Sequence, residues 1–408
     1  MKCRHCFATL SLPFVDLGTA PPSNAYLTQA QLAAPEKWFP LRVFTCTNCW
    51  LVQTEDYAHH AELFASDYAY FSSFSQTWLA HAETYVSTTV QRFGLSLASL
   101  VVEVASNDGY LLQYVKSCGI PCLGIEPTTS TAQAARDKGI EVREEFFGIA
   151  LADKLVAEGR SADLTAANNV LAHVPDINDF VAGFARLLKP RGVATFEFPH
   201  LMRLVSEAQF DTVYHEHFSY LSLTAVQHIF AHNGLSVFDV EEISTHGGSL
   251  RVFAQRTDTQ GHAVTPAVAA LLARETAAGV SSAAYYGGLQ ARAERIKDDL
   301  VAFLVEAKRS GKTVGAYGAA AKGNTLLNFA GVRADLMPWV VDRNPAKQGK
   351  YLPGSRIPIV DEARLRAERP DYVLVLPWNL IDEVTTQLGY TREWGGRFVT
   401  AVPSLALR

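Results

Sequence analysis

Residues 99–126 read SLVVEVASNDGYLLQYVKSCGIPCLGIE, and this stretch decides the fold. Residues 99–105 are an apolar, β-branched run, which predicts a strand. The turn Ser106-Asn107-Asp108-Gly109 follows, and 110–117 reads as a helix. Residues 122–126 predict a second strand and 129–138 a second helix. Further strands are expected at 163–168 and 192–198, with a helix between them over 177–188. Such alternation argues for a mostly parallel sheet with helices on both faces. Ligands of such sheets sit beyond the carboxyl ends of the strands.

Polar residues gather at those strand ends. Glu103, Ala105, Ser106, Asn107, Asp108, Gly109 and Tyr110 surround the end of the first strand, and Glu126 closes the second. An acid there can accept hydrogen bonds from both ribose hydroxyls of an adenosine-bearing cofactor, and the glycine turn lets the backbone approach it. The layout fits a class I methyltransferase or a nucleotide-binding dehydrogenase. A dehydrogenase needs G-x-G-x-x-G to cradle a pyrophosphate. Gly109 is the only glycine of this loop, which favours S-adenosylmethionine. The plainer reading is that Glu126 only caps the next helix. Asn168 and Asn169 follow the third predicted strand and are expected to hold the methionine end of the cofactor. His173 lies just beyond them, either in the same pocket or as a helix-start residue without a role.

Working outward, the chain has 408 residues, 48% hydrophobic and 19% charged, with 27 Gly and 18 Pro. That is globular composition, and at roughly 150 residues per domain it predicts two or three domains. The formal net charge of -5 gives no basic field for nucleic acid. No apolar run reaches the roughly 20 residues needed to cross a bilayer, so no membrane partner is expected. The first residues lack the apolar stretch of a secretory signal, and a cytoplasmic setting is expected. Nothing in the sequence fixes an oligomeric state, and a monomer is compatible with it.

Four of the six cysteines form two Cys-x-x-Cys pairs, Cys3/Cys6 and Cys46/Cys49. Two such turns can complete a tetrahedral four-sulfur shell, the preference of zinc. With four sulfurs no coordination position stays open, so the ion is expected to be structural. A disulfide or a redox pair suits the compartment and surroundings less well. Cys118 and Cys122 lie in apolar segments and are expected to be buried packing residues.

The densest chemistry is Tyr214-His215-Glu216-His217-Phe218-Ser219-Tyr220. A metalloprotease helix needs histidines at i and i+4, and these are at i and i+2. In an extended segment His215 and His217 would share one side, with Glu216 opposite. A histidine with a carboxylate or phenol nearby is a suitable general base. An exposed polar loop is the plainer reading.

Residues 266–308 read as helices broken near Ala278-Gly279 and Gly287-Gly288. A strand over 312–317 then runs into Gly318-Ala319-Ala320-Ala321-Lys322-Gly323-Asn324-Thr325, and further strands end at Asp342 and Leu376. This predicts a small Rossmann-like sheet. Lys322 could receive a diphosphate at the helix start, with Arg343, Lys347 and Trp378 near other strand ends. Alternatively the glycine turn only permits close packing.

Taken together, the sequence resembles the bacterial C-methyltransferases of nucleotide-linked 4-keto-deoxysugars. The carrying residues are the two cysteine pairs, Ser23-Asn24-Ala25-Tyr26-Leu27, Tyr70-Phe71-Ser72-Ser73-Phe74-Ser75 and Glu103 with Ser106-Asn107-Asp108-Gly109. Further along come Tyr214-His215-Glu216-His217, His246-Gly247-Gly248-Ser249 and Gly315-Ala316-Tyr317-Gly318-Ala319-Ala320-Ala321-Lys322-Gly323. The match spans essentially the whole chain.

The resemblance implies an α/β chain of three parts: a zinc-binding module (1–65), a class I S-adenosylmethionine methyltransferase domain (66–260), and a helical link with a Rossmann-like substrate domain (261–408). It implies His217 as the base, Tyr214 and Glu216 as positioning groups, and His173 with Tyr68 or Tyr70 in the same pocket. His200, His246, Lys322, Asn324, Arg343, Lys347 and Trp378 are assigned to the substrate side. The implied substrate is a dTDP-4-keto sugar, methylated at C3 beside the ketone through an enolate. A methyltransferase of another enolisable metabolite and a non-catalytic nucleotide-binding scaffold are the competing readings. The Tyr-His-Glu-His segment speaks against the scaffold.

Overall fold

A computed structural model of the chain describes residues 1–55 and 71–408. Strands β1 (Leu12–Ala20), β2 (Phe39–Thr45) and β3 (Val52–Thr54) form an antiparallel amino-terminal sheet. Next come β4 (Val101–Val104), β5 (Cys122–Ile125), β6 (Glu141–Arg143), β7 (Ala162–Asn168) and β8 (Leu188–Pro199). After them follow β9 (Ser219–Tyr220), β10 (Leu235–Ile243) and β11 (Ser249–Arg256). The central sheet has the order β10-β11-β8-β7-β4-β5-β6. Its strands β4 to β8 are parallel, while β11 runs antiparallel to both β8 and β10. The order reverses between β4 and β7, which opens a crevice beyond their carboxyl ends.

Both faces of this sheet are covered. Helix Ile177–Leu187 starts where the Asp176 side chain accepts from Asp179 N at 3.0 Å. It buries Ile177, Phe180, Val181, Phe184 and Leu187, one stripe at helical spacing. Full burial of a side chain such as Phe184 contributes about 1.5–3 kcal/mol. Helix Gln76–Phe93 covers the opposite face with Ala82, Tyr85, Val86 and Thr89. The predicted strands and helices of this domain are present with ends shifted by a few residues. Cys118 departs from expectation. It caps helix Leu112–Ser117 and is exposed, and Cys122 is half-buried.

The link forms helices Pro266–Ala278, Ala283–Tyr286 and Leu289–Arg309, interrupted at the two glycine sites expected. The carboxyl-terminal sheet contains β12 (Val314–Tyr317), β13 (Val340–Val341), β14 (Ile359–Val360), β15 (Tyr372–Val375), β16 (Arg397–Thr400) and β17 (Ala406–Leu407). Its order is β14-β13-β12-β15-β16-β17, parallel except for β17, and it also reverses beside its first strand.

The parts are interlocked. β9, from within the central domain, is the fourth strand of the amino-terminal sheet through β3. The β1–β2 sheet and helix Leu289–Arg309 share one apolar core with a face of the carboxyl-terminal sheet.

Candidate functional site

At the end of β4, Ala105, Asn107 and Gly109 take positive φ of 58, 48 and 75°. The loop thus coils into a cup. Gly109 is not vacated for a ligand: a Cβ there would overlap Ile140 and lie 3.3 Å from Ala135. Its conformation and the core behind it demand glycine, which corrects the expectation that the turn exists to admit the cofactor. Glu126 is buried, and its carboxylate accepts from Asn107 N at 2.9 Å and Thr128 N at 3.0 Å. Burial raises its pKa. The acid therefore caps its own loop, with the Thr128 and Thr131 side chains as further donors. Asn107 Oδ1 accepts from Ser72 N at 2.9 Å, so the 71–75 segment docks on the cup. Lys138 Nζ donates to Ser73 Oγ and to the Asp108 carbonyl, at 2.8 and 2.6 Å.

Around this cup lie buried polar atoms without a well-formed hydrogen bond: both Glu103 oxygens, Ser106 Oγ, Asp108 Oδ1, the Asn168 amide and Asn169 Oδ1. Burial drives the Glu103 pKa far up, although the Tyr110 hydroxyl lies beside it. Buried groups are normally satisfied, so a cluster of orphans at a strand-end crevice marks where a polar ligand completes the bonding. A nucleoside with an amino-acid tail, as in S-adenosylmethionine, fits these donors and acceptors.

The four cysteines fit zinc equally well. Their Sγ atoms lie within 4.8 Å of one another, with Cys3–Cys49 at 3.6 Å and Cys6–Cys46 at 3.5 Å. A tetrahedral Zn–S₄ shell requires S···S of about 3.8 Å. Sharing a proton with Cys49, with Gln53 Nε2 donating at 3.2 Å, pulls the Cys3 thiol down to about 4. Arg4, next to Cys3, donates to the carbonyls of Pro175 and Thr54 at 3.1 and 3.0 Å.

The histidine segment is not extended. His217 N donates to the Tyr214 carbonyl at 2.9 Å, closing a turn. His215 and His217 therefore diverge: His215 Nε2 donates to the Pro40 carbonyl at 3.2 Å, beside the Phe39 ring. His217 Nδ1 donates to the Thr212 carbonyl at 2.8 Å, which leaves the Nε2 lone pair to accept from the Tyr214 hydroxyl at 2.7 Å. Burial first, and the neighbouring His173 second, hold His217 neutral by lowering its pKa strongly. The His173 ring lies 4.6 Å away, and burial lowers its pKa to about 4. Glu216 is buried, with Oε2 accepting from Asn24 Nδ2 at 3.1 Å and Oε1 unsatisfied. Burial pushes its pKa up to about 7. The amino-terminal module fixes this segment, since Thr54 donates to the His217 and Phe218 carbonyls, both at 3.2 Å.

Lys322 and His246 lie near enough to His217 for a positive charge on either to lower its pKa. Lys322 Nζ donates to Asn379 Oδ1 at 2.7 Å and lies 4.7 Å from the Trp378 ring. His246 stands edge-on to Trp78 at 5.2 Å. The other residues assigned to the substrate side hydrogen-bond to the protein itself. His200 is buried with Nε2 on Glu275 Oε1 at 2.7 Å, and Glu275 also accepts the amides of Leu223 and Thr224. Asn324 is 1% exposed and donates to the Ser23 carbonyl at 3.3 Å. Arg343 is exposed and donates to Gln387 at 3.0 Å. Lys347 donates to the Ala319 carbonyl at 3.0 Å, and the Trp378 indole N–H is spent on Asp211. These polar groups are committed to holding the fold. Tyr68 and Tyr70 lie outside the described residues.

Sequence reasoning missed two groups. Asn24 was quoted only as part of a motif, although a buried Glu216 needs a donor. Trp78 and His81 stack at 4.9 Å, and His81 Nε2 meets Glu197 Oε2 at 2.8 Å while Arg251 Nε holds Oε1 at 2.6 Å. Burial alone would raise Glu197; His81 and Arg251 together hold it below the usual carboxylate range. The i, i+3 spacing of Trp78 and His81 on one helical face was the available signal.

The topology and the two fitted sites define a class I S-adenosylmethionine-dependent methyltransferase with a structural zinc module. Residues 3–64 match a family model for a zinc-binding domain, 78–240 one for a methyltransferase domain, and 244–403 one for a C-methyltransferase C-terminal domain. The C-methyltransferase NovU of Streptomyces niveus is 35% identical over 402 residues, covering 98% of this chain and 95% of that one. The chain belongs to this bacterial C-methyltransferase family. Solved structures share only part of it. The magnesium protoporphyrin IX methyltransferase ChlM of Synechocystis PCC 6803 covers 44% of this chain and 79% of its own, with 17% identity and TM-score 0.34. The PH0226 protein of Pyrococcus horikoshii covers 50% and 100%, with 16% identity and TM-score 0.38.

Proposed function

We propose that the chain methylates C3, beside the ketone, of a dTDP-linked 4-keto-deoxysugar, with His217 as the base. One observation carries the reading: the buried His217 ring is held between the Thr212 carbonyl at Nδ1 and the Tyr214 hydroxyl at Nε2. An imidazole oriented in this way suits removal of a proton beside a carbonyl, and the likeness to C-methyltransferases supports carbon as the acceptor.

Bound S-adenosylmethionine supplies an electrophilic methyl group. His217 Nε2 removes the proton from the sugar carbon, and the electron pair passes into the carbonyl as an enolate. Tyr214, released from Nε2 as the base takes its proton, is within reach to donate to the developing oxygen. Such donors are worth about 10²–10³ in rate when preorganised. The carbon then takes the methyl group, and S-adenosylhomocysteine leaves. Glu216 holds the segment through Asn24, and His173 walls the pocket beside the base. Lys322 and His246 bring positive and polar surface to the substrate, the ammonium serving the diphosphate. The working division is a zinc module (1–65), a methyltransferase domain (66–260) and a helical link with the carboxyl-terminal unit (261–408). The reduced cysteines required for zinc suit the cytoplasm, and no helix among the described residues is long and apolar enough to cross a membrane.

The test is His217→Asn. Turnover should fall by about 10²–10⁴, the usual contribution of a general base. Exchange of the sugar C3 proton with D₂O, followed by NMR with S-adenosylhomocysteine present, should vanish. Affinity for S-adenosylmethionine by calorimetry should stay within about twofold, since a base acts on the acceptor and not on the donor. Full turnover in this variant sinks the assignment. Labelled S-adenosylmethionine with a panel of dTDP-4-keto sugars, the product carbon located by NMR, tests the substrate.

A further inference from the structure

Three consecutive residues just before the histidine segment are tied to different places. Asp211 Oδ2 accepts from Trp378 Nε1 at 2.7 Å. The Thr212 carbonyl accepts from His217 Nδ1 at 2.8 Å. The Val213 carbonyl accepts from Thr325 Oγ1 at 2.9 Å. The middle bond sets the ring of the base. Both flanking bonds come from the carboxyl-terminal unit, Thr325 on helix Ala321–Ala330 and Trp378 just after β15.

We infer that Asp211, Thr325 and Trp378 are positioning residues through which the carboxyl-terminal unit fixes the Thr212 carbonyl and hence the orientation of His217. The inference rests on the reading of His217 as the base. A carbonyl has no freedom apart from the peptides on either side of it, so anchoring residues 211 and 213 fixes the acceptor between them. That acceptor decides which ring nitrogen carries the proton and where the other points. The anchors are buried: Asp211 is 0% and Thr325 2% exposed, so water does not replace a lost bond readily. Apolar packing brings the two units together, with Phe210 against Phe329 at 5.5 Å between ring centres. The hydrogen bonds then set the register of what is already in contact.

Trp378 extends the same device to the neighbouring loop. At Gly247 a Cβ would come within 2.5 Å of the Trp378 ring, and Gln209 Nε2 donates to the Gly247 carbonyl at 2.8 Å. The ring therefore seats His246 beside the pocket while its N–H seats Asp211. Lys322, over the same ring, comes from the turn before Thr325. Whatever orders this helix and ring also orders the base.

Two variants, each removing one donor, test the coupling. Thr325→Val removes one hydrogen bond and keeps the side-chain volume, and Trp378→Phe removes the other donor. Each should lower kcat by about 10- to 100-fold, the effect of a misplacement near 1 Å. The rate of C3 proton exchange in D₂O should fall by the same factor. In Thr325→Val, KM for the sugar nucleotide and affinity for S-adenosylmethionine should stay within about threefold, and Thr325→Ser should keep native turnover to a similar margin. A raised KM with unchanged kcat in Thr325→Val overturns the inference, because Thr325 would then touch substrate. Native turnover in both variants, beside an inactive His217→Asn, overturns the coupling alone. An active His217→Asn removes the base itself, and the coupling with it.

Discussion

The two α/β units end their second strands in the same way and use the result differently. After β5, Glu126 accepts from the amide of Asn107 in the first loop and from Thr128 two residues on. After β13, Asp342 accepts from the amide of Ala319 in its first loop and from Asn344 two residues on, both at 2.8 Å. The acid thus closes a loop in each. In the central domain the crevice beside it is ringed by unsatisfied atoms of Glu103, Ser106, Asp108, Asn168 and Asn169. In the carboxyl-terminal unit the protein's own groups occupy the turn after β12. A Cβ at Gly318 (φ 89°) would overlap Pro377, and the Ala319 carbonyl takes both the Tyr26 hydroxyl at 2.7 Å and Lys347 at 3.0 Å. A strand-end acid and a glycine turn therefore make a crevice, and only unsatisfied groups make it a binding site.

The largest effect expected from testing this contrast comes through zinc. The histidine segment runs directly into β9, which pairs with β3 of the zinc module, whereas the carboxyl-terminal unit meets that module through the Leu27–Tyr351 bridge and the Tyr26 hydroxyl. Structural zinc is worth about 10–16 kcal/mol of apparent folding free energy in small modules. Removing zinc with a chelator, or by Cys46→Ser, should lower turnover at least about 100-fold. Metal content, activity and calorimetric unfolding measured together check this. Turnover at the native rate in zinc-free protein breaks the link.

The next effect belongs to Glu216, whose burial is offset only by Asn24. Its pKa is raised to about 7, so the folded protein binds a proton that the unfolded chain has lost. Its contribution to stability is fully present below the unfolded value of about 4.5 and is lost as pH rises through about 7. Glu216→Gln lacks this penalty. Its stability relative to the native protein should rise by up to about 3 kcal/mol between pH 4.5 and 8. Urea unfolding across that range measures it, and a pH-independent difference argues that the carboxylate is ionised throughout.

The smallest effect separates the paired acids. Glu126→Gln should weaken S-adenosylmethionine about tenfold by calorimetry, the size of one charged hydrogen bond, with a modest loss of stability. Asp342→Asn should leave that affinity unchanged and lower the melting temperature by about 2–4 °C. Equal behaviour of the two variants would dissolve the contrast.

Much of this was legible along the chain. Cys-x-x-Cys spacing needs only a tight turn, so the two pairs announced their metal. The β4 loop was recognisable because strand, turn and helix follow one another within a few residues. Extended geometry at 214–218 was the wrong local reading: Tyr214 and His217 close a turn because the ring is drawn back to Thr212. Arg343, Lys347, Trp378, Asn324 and His200 lay at promising strand and helix ends, yet proximity to a strand end does not say which way a side chain is bonded.

By itself the sequence determined the α/β class, the four-cysteine knuckle, the loop after β4 and the presence of a concentrated acid/base segment. Each depends on residues close together in the chain, where backbone geometry alone fixes what can meet. Tertiary structure decided which crevice stays open and how the base is held. The bonds responsible join Asn24 to Glu216 across 192 residues and Asp211 to Trp378 across 167. No local pattern encodes such meetings, because they exist only once three separately patterned parts have buried their apolar faces against one another.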